Sequence, residues 1–166
     1  KPYIAFMQGF TMGGGVGISC HGSHRIVCET SKISMPECSI GLVPDVGGSL
    51  LLSRAPSNLG YFLGLTGTQM NAADAVYAGF ADIYIPKEEW TNIIDDLEKT
   101  GDKTILQKHS RKLSRSQLYE NRKFLQVAFK SKNLSKIALF LSQSKNQLAH
   151  LALEKITKNC PIAMTY

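Results

Sequence analysis

Two stretches decide the fold of this chain, QGFTMGGGVG at residues 8–17 and MPECSIGLVPDVGG at residues 35–48. The first stretch follows a buried apolar strand, predicted at residues 3–7, and places a glycine cluster where a helix begins. Backbone N–H groups at a helix start have no acceptor within the helix, and glycine lets an oxygen approach them closely. The cluster therefore has two open interpretations: a site for an oxyanion or phosphate, or a tight turn where a helix packs on a strand.

The second stretch carries two carboxylates, Glu37 and Asp45, in a segment almost free of other charge. Each follows a proline, which stiffens the loop between them. Carboxylates in apolar surroundings have shifted pKa values and are candidates for acid, base or nucleophile roles. The alternative is structural, since Asp45 precedes Gly47 and can cap the next helix.

The remaining pattern predicts an α/β unit that leads into a helical second half. Further strands are predicted at 24–29, 32–35 and 81–85. Ser57 is the predicted cap of one helix, and Asn71 with Asp74 forms a capping box for a second helix that stops at Gly79. Other predicted helices cover 47–54, the acidic segment from Pro86 to about Lys99, and 114–129, 134–141 and 147–156.

Length and composition exclude several classes of protein. The 166 residues (18.2 kDa) fit one domain, and 43% hydrophobic with 19% charged residues excludes disordered and collagen-like chains. No apolar run approaches the length of a membrane span, so no membrane partner is expected. The four cysteines form no CxxC pair, which favours reduced, structural thiols and no metal site. The opening Lys1, without an initiator Met, suggests a fragment of a longer chain.

The net charge of +6 is unevenly distributed, because residues 101–166 carry thirteen basic and three acidic side chains. A basic region attracts polyanions such as nucleic acid, although the charges fall between periodic apolar positions, as on solvated helices. Aromatic residues in this region have helical spacing, so a nucleic-acid partner is not favoured. The four histidines are dispersed, and His21 and His24 are interpreted as surface or strand-flanking residues.

Taken together, the two stretches resemble the crotonase (enoyl-CoA hydratase/isomerase) superfamily, and most of all its 3-hydroxyacyl-CoA hydrolase branch. The resemblance is strong over residues 1–80. It implies a ββα spiral core over residues 1–85 and a helical region over 86–166. It also implies an acyl-CoA substrate whose thioester oxygen is bound by two backbone N–H groups. Gly14 matches the position of one of them, and the other belongs to a segment upstream of this chain.

The resemblance also assigns roles to the acids. Glu37 matches the catalytic glutamate and Asp45 the acid of the hydrolase branch, whereas Gly17 stands where hydratases carry their other glutamate. The implied activity is hydrolysis of 3-hydroxyisobutyryl-CoA, a step of valine degradation, with no cofactor because CoA is part of the substrate. Cys38 and Ser39 replace the usual Thr-Ala pair, a packing change that leaves the carboxylate in place.

Several alternatives stay open. The chain can belong to an enoyl-CoA hydratase or isomerase, or to a non-catalytic module that binds RNA or CoA, and the fragment alone can be inactive. A homo-oligomer is compatible with the family. The expected compartment is the bacterial cytoplasm, or the mitochondrial matrix in a eukaryote.

Overall fold

The computed structural model describes residues 1–165, and its first half contains two short parallel sheets. The larger sheet has the order β1 (Ile4–Met7), β3 (His24–Val27), β5 (Ile83–Tyr84). In the smaller sheet, β2 (Phe10–Met12) pairs with β4 (Lys32–Ser34). The strands predicted around residues 3–7, 24–29, 32–35 and 81–85 are confirmed, whereas β2 was not predicted.

The chain contributes one strand to each sheet and then forms a helix, and this pattern occurs twice. The first turn runs through β1, β2 and helix α1 (Gly14–Ser19). The second runs through β3, β4, a 3₁₀ turn (Glu37–Ile40) and helix α2 (Gly48–Arg54). This repetition is the ββα spiral that the resemblance implies, and the α/β fold class is confirmed.

Helices dominate the rest of the chain. Among the described residues they are α3 (Leu59–Thr66), α4 (Ala72–Ala78), a 3₁₀ turn (Lys87–Glu89), α5 (Trp90–Thr100), α6 (Thr104–Lys108), α7 (Gln117–Glu120), α8 (Arg122–Ala128), α9 (Leu134–Ser142), α10 (Gln147–Lys158) and α11 (Pro161–Thr165). The helix predicted over 114–129 is divided at Asn121, whose near-zero ψ of 6° ends α7 and begins α8.

The capping predictions had different outcomes. Asn71 accepts a hydrogen bond from the Asp74 N–H at 2.9 Å, and Gly79 ends α4 in the left-handed region, so both of these predictions are confirmed. The Ser57 cap is wrong. The residue that precedes α3 is Asn58, at φ +60°, and its side chain donates instead to the Gln126 carbonyl at 2.9 Å.

Two clusters of buried side chains hold the elements together. The larger joins the strands to α3, α4 and α7–α10, with the Phe62 and Phe129 rings packed edge to face. The smaller lies between the larger sheet and α5 and α6, around Ile26, Ile85 and Trp90. Within residues 1–165 no helix is long and apolar enough to cross a membrane.

Candidate active site

Parallel pairing of β2 with β4 brings together the two stretches at residues 8–17 and 35–48. Met12 is opposite Ser34 in the register, and the next residue, Gly13, donates its N–H to the Ser34 carbonyl at 3.3 Å. Because parallel strands end at the same edge of a sheet, the segments that leave them lie side by side. The glycine cluster and Glu37 therefore meet at this edge, although they are more than twenty residues apart in sequence.

Glu37 is the first residue of the 3₁₀ turn after Pro36, and its side chain is only 4% exposed. The carboxylate lies against Gly13, where an added Cβ would be 3.1 Å from Glu37 Oε1. Gly13 also has φ +50°, a backbone angle that residues with a side chain rarely adopt. Both the backbone angle and the nearby carboxylate therefore favour glycine at this position.

The Glu37 carboxylate lacks the partners that a buried acid ordinarily has. Glu37 Oε2 is buried and finds no hydrogen-bond partner within residues 1–165. Burial raises the pKa of Glu37 above its ordinary range, its own backbone N–H partly opposes this rise, and the charge of Asp45 adds to it. A raised pKa makes the carboxylate a stronger base, which suits an acid–base role.

Gly14 is the first residue of α1, and its N–H precedes the first intrahelical hydrogen bond. The buried Val16 side chain anchors the helix, and Gly17 N–H donates to the Gly13 carbonyl at 3.1 Å. No side chain caps this helix start. Gly14 thus follows directly after Gly13, the residue against which the Glu37 carboxylate packs.

Asp45 is exposed, at the start of a turn that Gly48 closes by donating its N–H to the Asp45 carbonyl at 2.6 Å. The alternative role of Asp45 as a helix cap is not observed, because α2 begins after Gly47 without a side-chain cap. The Asp45 charge raises the pKa of Glu37, so the two carboxylates are near enough to interact electrostatically.

Gly17, where a hydratase would carry its other carboxylate, is packed against the Asp45 turn. A Cβ on Gly17 would lie 2.6 Å from the Val46 Cβ and 3.2 Å from the Val46 carbonyl oxygen. Any side chain at this position would displace Val46.

Two features of the site have no counterpart in the sequence analysis. His21 is exposed, as predicted, and its Nε2 also lies 3.2 Å from the Val46 carbonyl oxygen. An apolar cavity of about 670 Å³ is lined by Cys38 and Pro44, the sequence neighbours of the two acids, and by residues of α2, α3 and α11. The helices that line the cavity come from distant parts of the sequence, so no local pattern predicts it. Within residues 1–165 no cluster of three or more potential metal ligands occurs.

The chain is similar in sequence to proteins that act on acyl-CoA thioesters. A family model described as enoyl-CoA hydratase/isomerase matches residues 1–166. The mitochondrial 3-hydroxyisobutyryl-CoA hydrolase of Homo sapiens is 34% identical over 175 residues, which cover 99% of this chain and 45% of that protein.

Two solved structures share the fold. An enoyl-CoA hydratase from Rhodobacter sphaeroides 2.4.1 is 45% identical with a TM-score of 0.94, over 99% of this chain and 48% of that one. A carnitinyl-CoA dehydratase from Mycobacterium thermoresistibile is 38% identical with a TM-score of 0.95, over the same shares of the two chains. The chain spans about half the length of the human relative and of these two structures.

Proposed function

The chain belongs to the enoyl-CoA hydratase/isomerase family. We propose that the full-length protein that contains it hydrolyses the thioester of a 3-hydroxyacyl-CoA, with 3-hydroxyisobutyryl-CoA as the substrate. The observation that carries the proposal is the buried Glu37 carboxylate, which packs against Gly13 and whose Oε2 has no partner among the described residues. A buried acid without a partner costs free energy, and such groups are retained where chemistry needs them.

In the proposed reaction, the thioester oxygen accepts a hydrogen bond from the Gly14 N–H as it becomes negative. A partner donor, from outside this chain, completes the oxyanion hole. Loss of one such donor typically costs about 10²–10³ in rate. The tetrahedral intermediate then collapses, the carbon–sulfur bond breaks, and CoA leaves as a thiolate that takes up a proton.

Two routes lead to that intermediate, and Glu37 serves in either. Its carboxylate attacks the carbonyl carbon, giving a mixed anhydride that water hydrolyses, or it removes a proton from the water that attacks. The raised pKa of Glu37 serves either route, because a more basic carboxylate is both a stronger nucleophile and a stronger proton acceptor.

Packing at Gly17 supports hydrolysis over hydration. Addition of water to a double bond uses a pair of acid–base groups, and in this chain Val46 occupies the space next to position 17. Some relatives favour the alternative, since the Rhodobacter sphaeroides structure is named an enoyl-CoA hydratase. Hydratase activity is therefore measured as a competing function in the experiment below.

We assign to Asp45 the recognition of the substrate's 3-hydroxyl group. Its exposed carboxylate is near enough to Glu37 to raise the pKa of that residue, and once bound substrate excludes water it would lack a hydrogen-bond partner when the hydroxyl is absent. Asp45→Asn should therefore reduce the preference for 3-hydroxyisobutyryl-CoA over isobutyryl-CoA by at least about tenfold. An unchanged preference would remove Asp45 from substrate recognition.

The direct test is thiol release from 3-hydroxyisobutyryl-CoA by the full-length protein that contains this chain, with hydration of crotonyl-CoA measured in parallel. We expect rapid thiol release, its collapse in Glu37→Gln, and no hydration. Hydration without thiol release would refute hydrolysis in favour of a hydratase. If both assays are silent while RNA binds in a salt-sensitive manner, a binding module replaces the enzyme.

The remaining assignments follow the same family. We propose that the protein needs no cofactor beyond the CoA of its substrate. The human relative is named mitochondrial, which favours the mitochondrial matrix for a eukaryotic source, with the cytoplasm proposed for a bacterial one. An RNA partner is disfavoured because Phe129 is fully buried and Tyr119 packs on Tyr77.

A further inference from the structure

The turn that begins at Asp45 has a strained backbone. Its central residues, Val46 and Gly47, have φ values of +46° and +77°, as in a type I′ turn closed by the hydrogen bond from Gly48. Glycine adopts such angles readily, but a β-branched valine does so rarely. Strain of this kind persists only where the surrounding structure holds it in place.

Two contacts from α1 and the residues after it hold this turn. The Val46 side chain fills the space above Gly17, where a Cβ would approach within 2.6 Å. Beyond the helix, His21 Nε2 lies 3.2 Å from the Val46 carbonyl oxygen. The His21 ring also covers Gly47, whose added Cβ would lie 2.6 Å from Nε2. Because a carbonyl oxygen only accepts hydrogen bonds, Nε2 is the donor.

We propose that His21 is a positioning residue that holds the Asp45 turn against α1, so that the Asp45 carboxylate stays next to Glu37. The inference rests on the proposed role of Asp45 in binding the substrate hydroxyl. Helix α1 begins at Gly14, the proposed oxyanion donor, and His21 follows its end. The oxyanion donor and the hydroxyl-binding acid are then connected through a single short helix.

The pKa of Glu37 reports on the position of Asp45, because few other charges face Glu37. The elements packed against its turn are α3 and α11, and these contribute no carboxylate, lysine or arginine. Their one titratable side chain is the exposed phenol of Tyr61. The neighbouring Cys38 thiol is neutral near pH 7, because burial raises its pKa. Displacement of Asp45 should therefore lower the pKa of Glu37.

The first experiment measures the Glu37 carboxyl pKa by ¹³C NMR of the full-length protein labelled at glutamate, assigned with Glu37→Gln. We expect His21→Ala to lower this pKa as far as Asp45→Asn does. His21→Gln retains an N–H donor near the position of Nε2 and should keep the wild-type pKa. His150→Ala is the control, since His150 is exposed on α10. The proposal would be overturned if Glu37 kept its wild-type pKa in His21→Ala while urea unfolding showed that the variant is folded.

The second experiment asks whether His21 acts through Asp45, by a double-mutant cycle on the ratio of thiol release from 3-hydroxyisobutyryl-CoA to that from isobutyryl-CoA. His21→Ala should reduce this ratio at least about tenfold in the wild type and not at all in Asp45→Asn. Equal losses in both backgrounds would overturn the positioning role. A wild-type protein that releases no thiol would refute the proposed function, and the NMR comparison would then decide the role of His21 alone.

Discussion

Two buried carboxylates in this molecule have almost the same exposure and opposite surroundings. Glu37 is 4% exposed and Asp74 is 6% exposed, and each lies at or near the start of a helical turn. Asp74 Oδ1 accepts a hydrogen bond from the Ser116 hydroxyl at 2.6 Å and another from the Leu118 N–H at 3.1 Å. Glu37 Oε2 accepts no hydrogen bond from the part of the chain that the structure describes.

The contrast separates a structural acid from a reactive one. Asp74 joins α4 to the start of α7, where Ser116 also caps the helix by accepting from the Tyr119 N–H. Its burial is compensated by hydrogen bonds, so it contributes to stability. Among the described residues, the Glu37 carboxylate has only the partial compensation of its own backbone N–H, and the rest of the fold has to supply the free energy that its burial costs. Burial alone therefore does not distinguish a structural acid from a reactive one, whereas the hydrogen-bond partners of the carboxylate do.

The largest expected effect is that of Glu37→Gln on thioester hydrolysis. Because the amide can neither attack the thioester nor take a proton from water, we expect thiol release to fall by about 10³-fold. The free energy of unfolding should stay at or above the wild-type value, since a neutral amide is less costly to bury than a charge. Steady-state kinetics and urea unfolding of the same preparations measure both quantities. If Glu37→Gln were active or less stable than the wild type, Glu37 would not be a reactive acid distinct from the structural Asp74.

Asp74→Ala is the reverse case. It leaves the Ser116 hydroxyl and the Leu118 N–H buried without their acceptor, which should lower the free energy of unfolding by about 3 kcal/mol. The folded fraction should keep the wild-type kcat. Asp74→Asn retains an oxygen acceptor and should lose much less stability. Loss of kcat in folded Asp74→Ala would show that α4 supports the site directly.

The sequence predicts these two acids unequally well. Glu37 stands out because it lies between prolines in an apolar stretch and matches a family motif, and β2–β4 pairing then places it beside the glycine cluster. Asp74 is recognisable as a capping-box residue, but its bonding to Ser116 is not, because the two residues are 42 positions apart. A local pattern indicates which residues begin a helix and does not indicate what meets them across the core.

The same limit explains the other differences. The contact of His21 with Val46 spans 25 positions and depends on a turn with positive φ at a valine, which no propensity rule predicts. The helix predicted over 114–129 has continuous helical periodicity, yet it divides at Asn121 so that α7 can pack on α4 and α8 on α3. Tertiary packing overrides local preference at both places.

Gly13→Ala tests whether the closeness of the glycine cluster to Glu37 matters. The new Cβ would lie 3.1 Å from Glu37 Oε1 at φ +50°, so we expect about a tenfold loss in thiol release and about 1 kcal/mol in stability. Gly101→Ala is a matched control, because Gly101 has φ +65° with open space around it. It should show a similar loss of stability with wild-type kinetics. Equal kinetics in the two variants would mean that Gly13 matters only for the backbone.

The smallest expected effect is the pH dependence of the difference in stability between Glu37→Gln and the wild type. Folding raises the pKa of Glu37, so the folded state holds this proton more tightly than the unfolded state does. The wild type therefore loses stability as pH rises from about 4 through the raised pKa, whereas the variant has no such term. Its stability advantage should grow as pH rises from about 4 and level off above the raised pKa, as measured by urea unfolding across that range. An advantage that grows toward acid pH would mean that folding stabilises the Glu37 charge, as it does for a partnered acid, and the distinction from Asp74 would no longer hold.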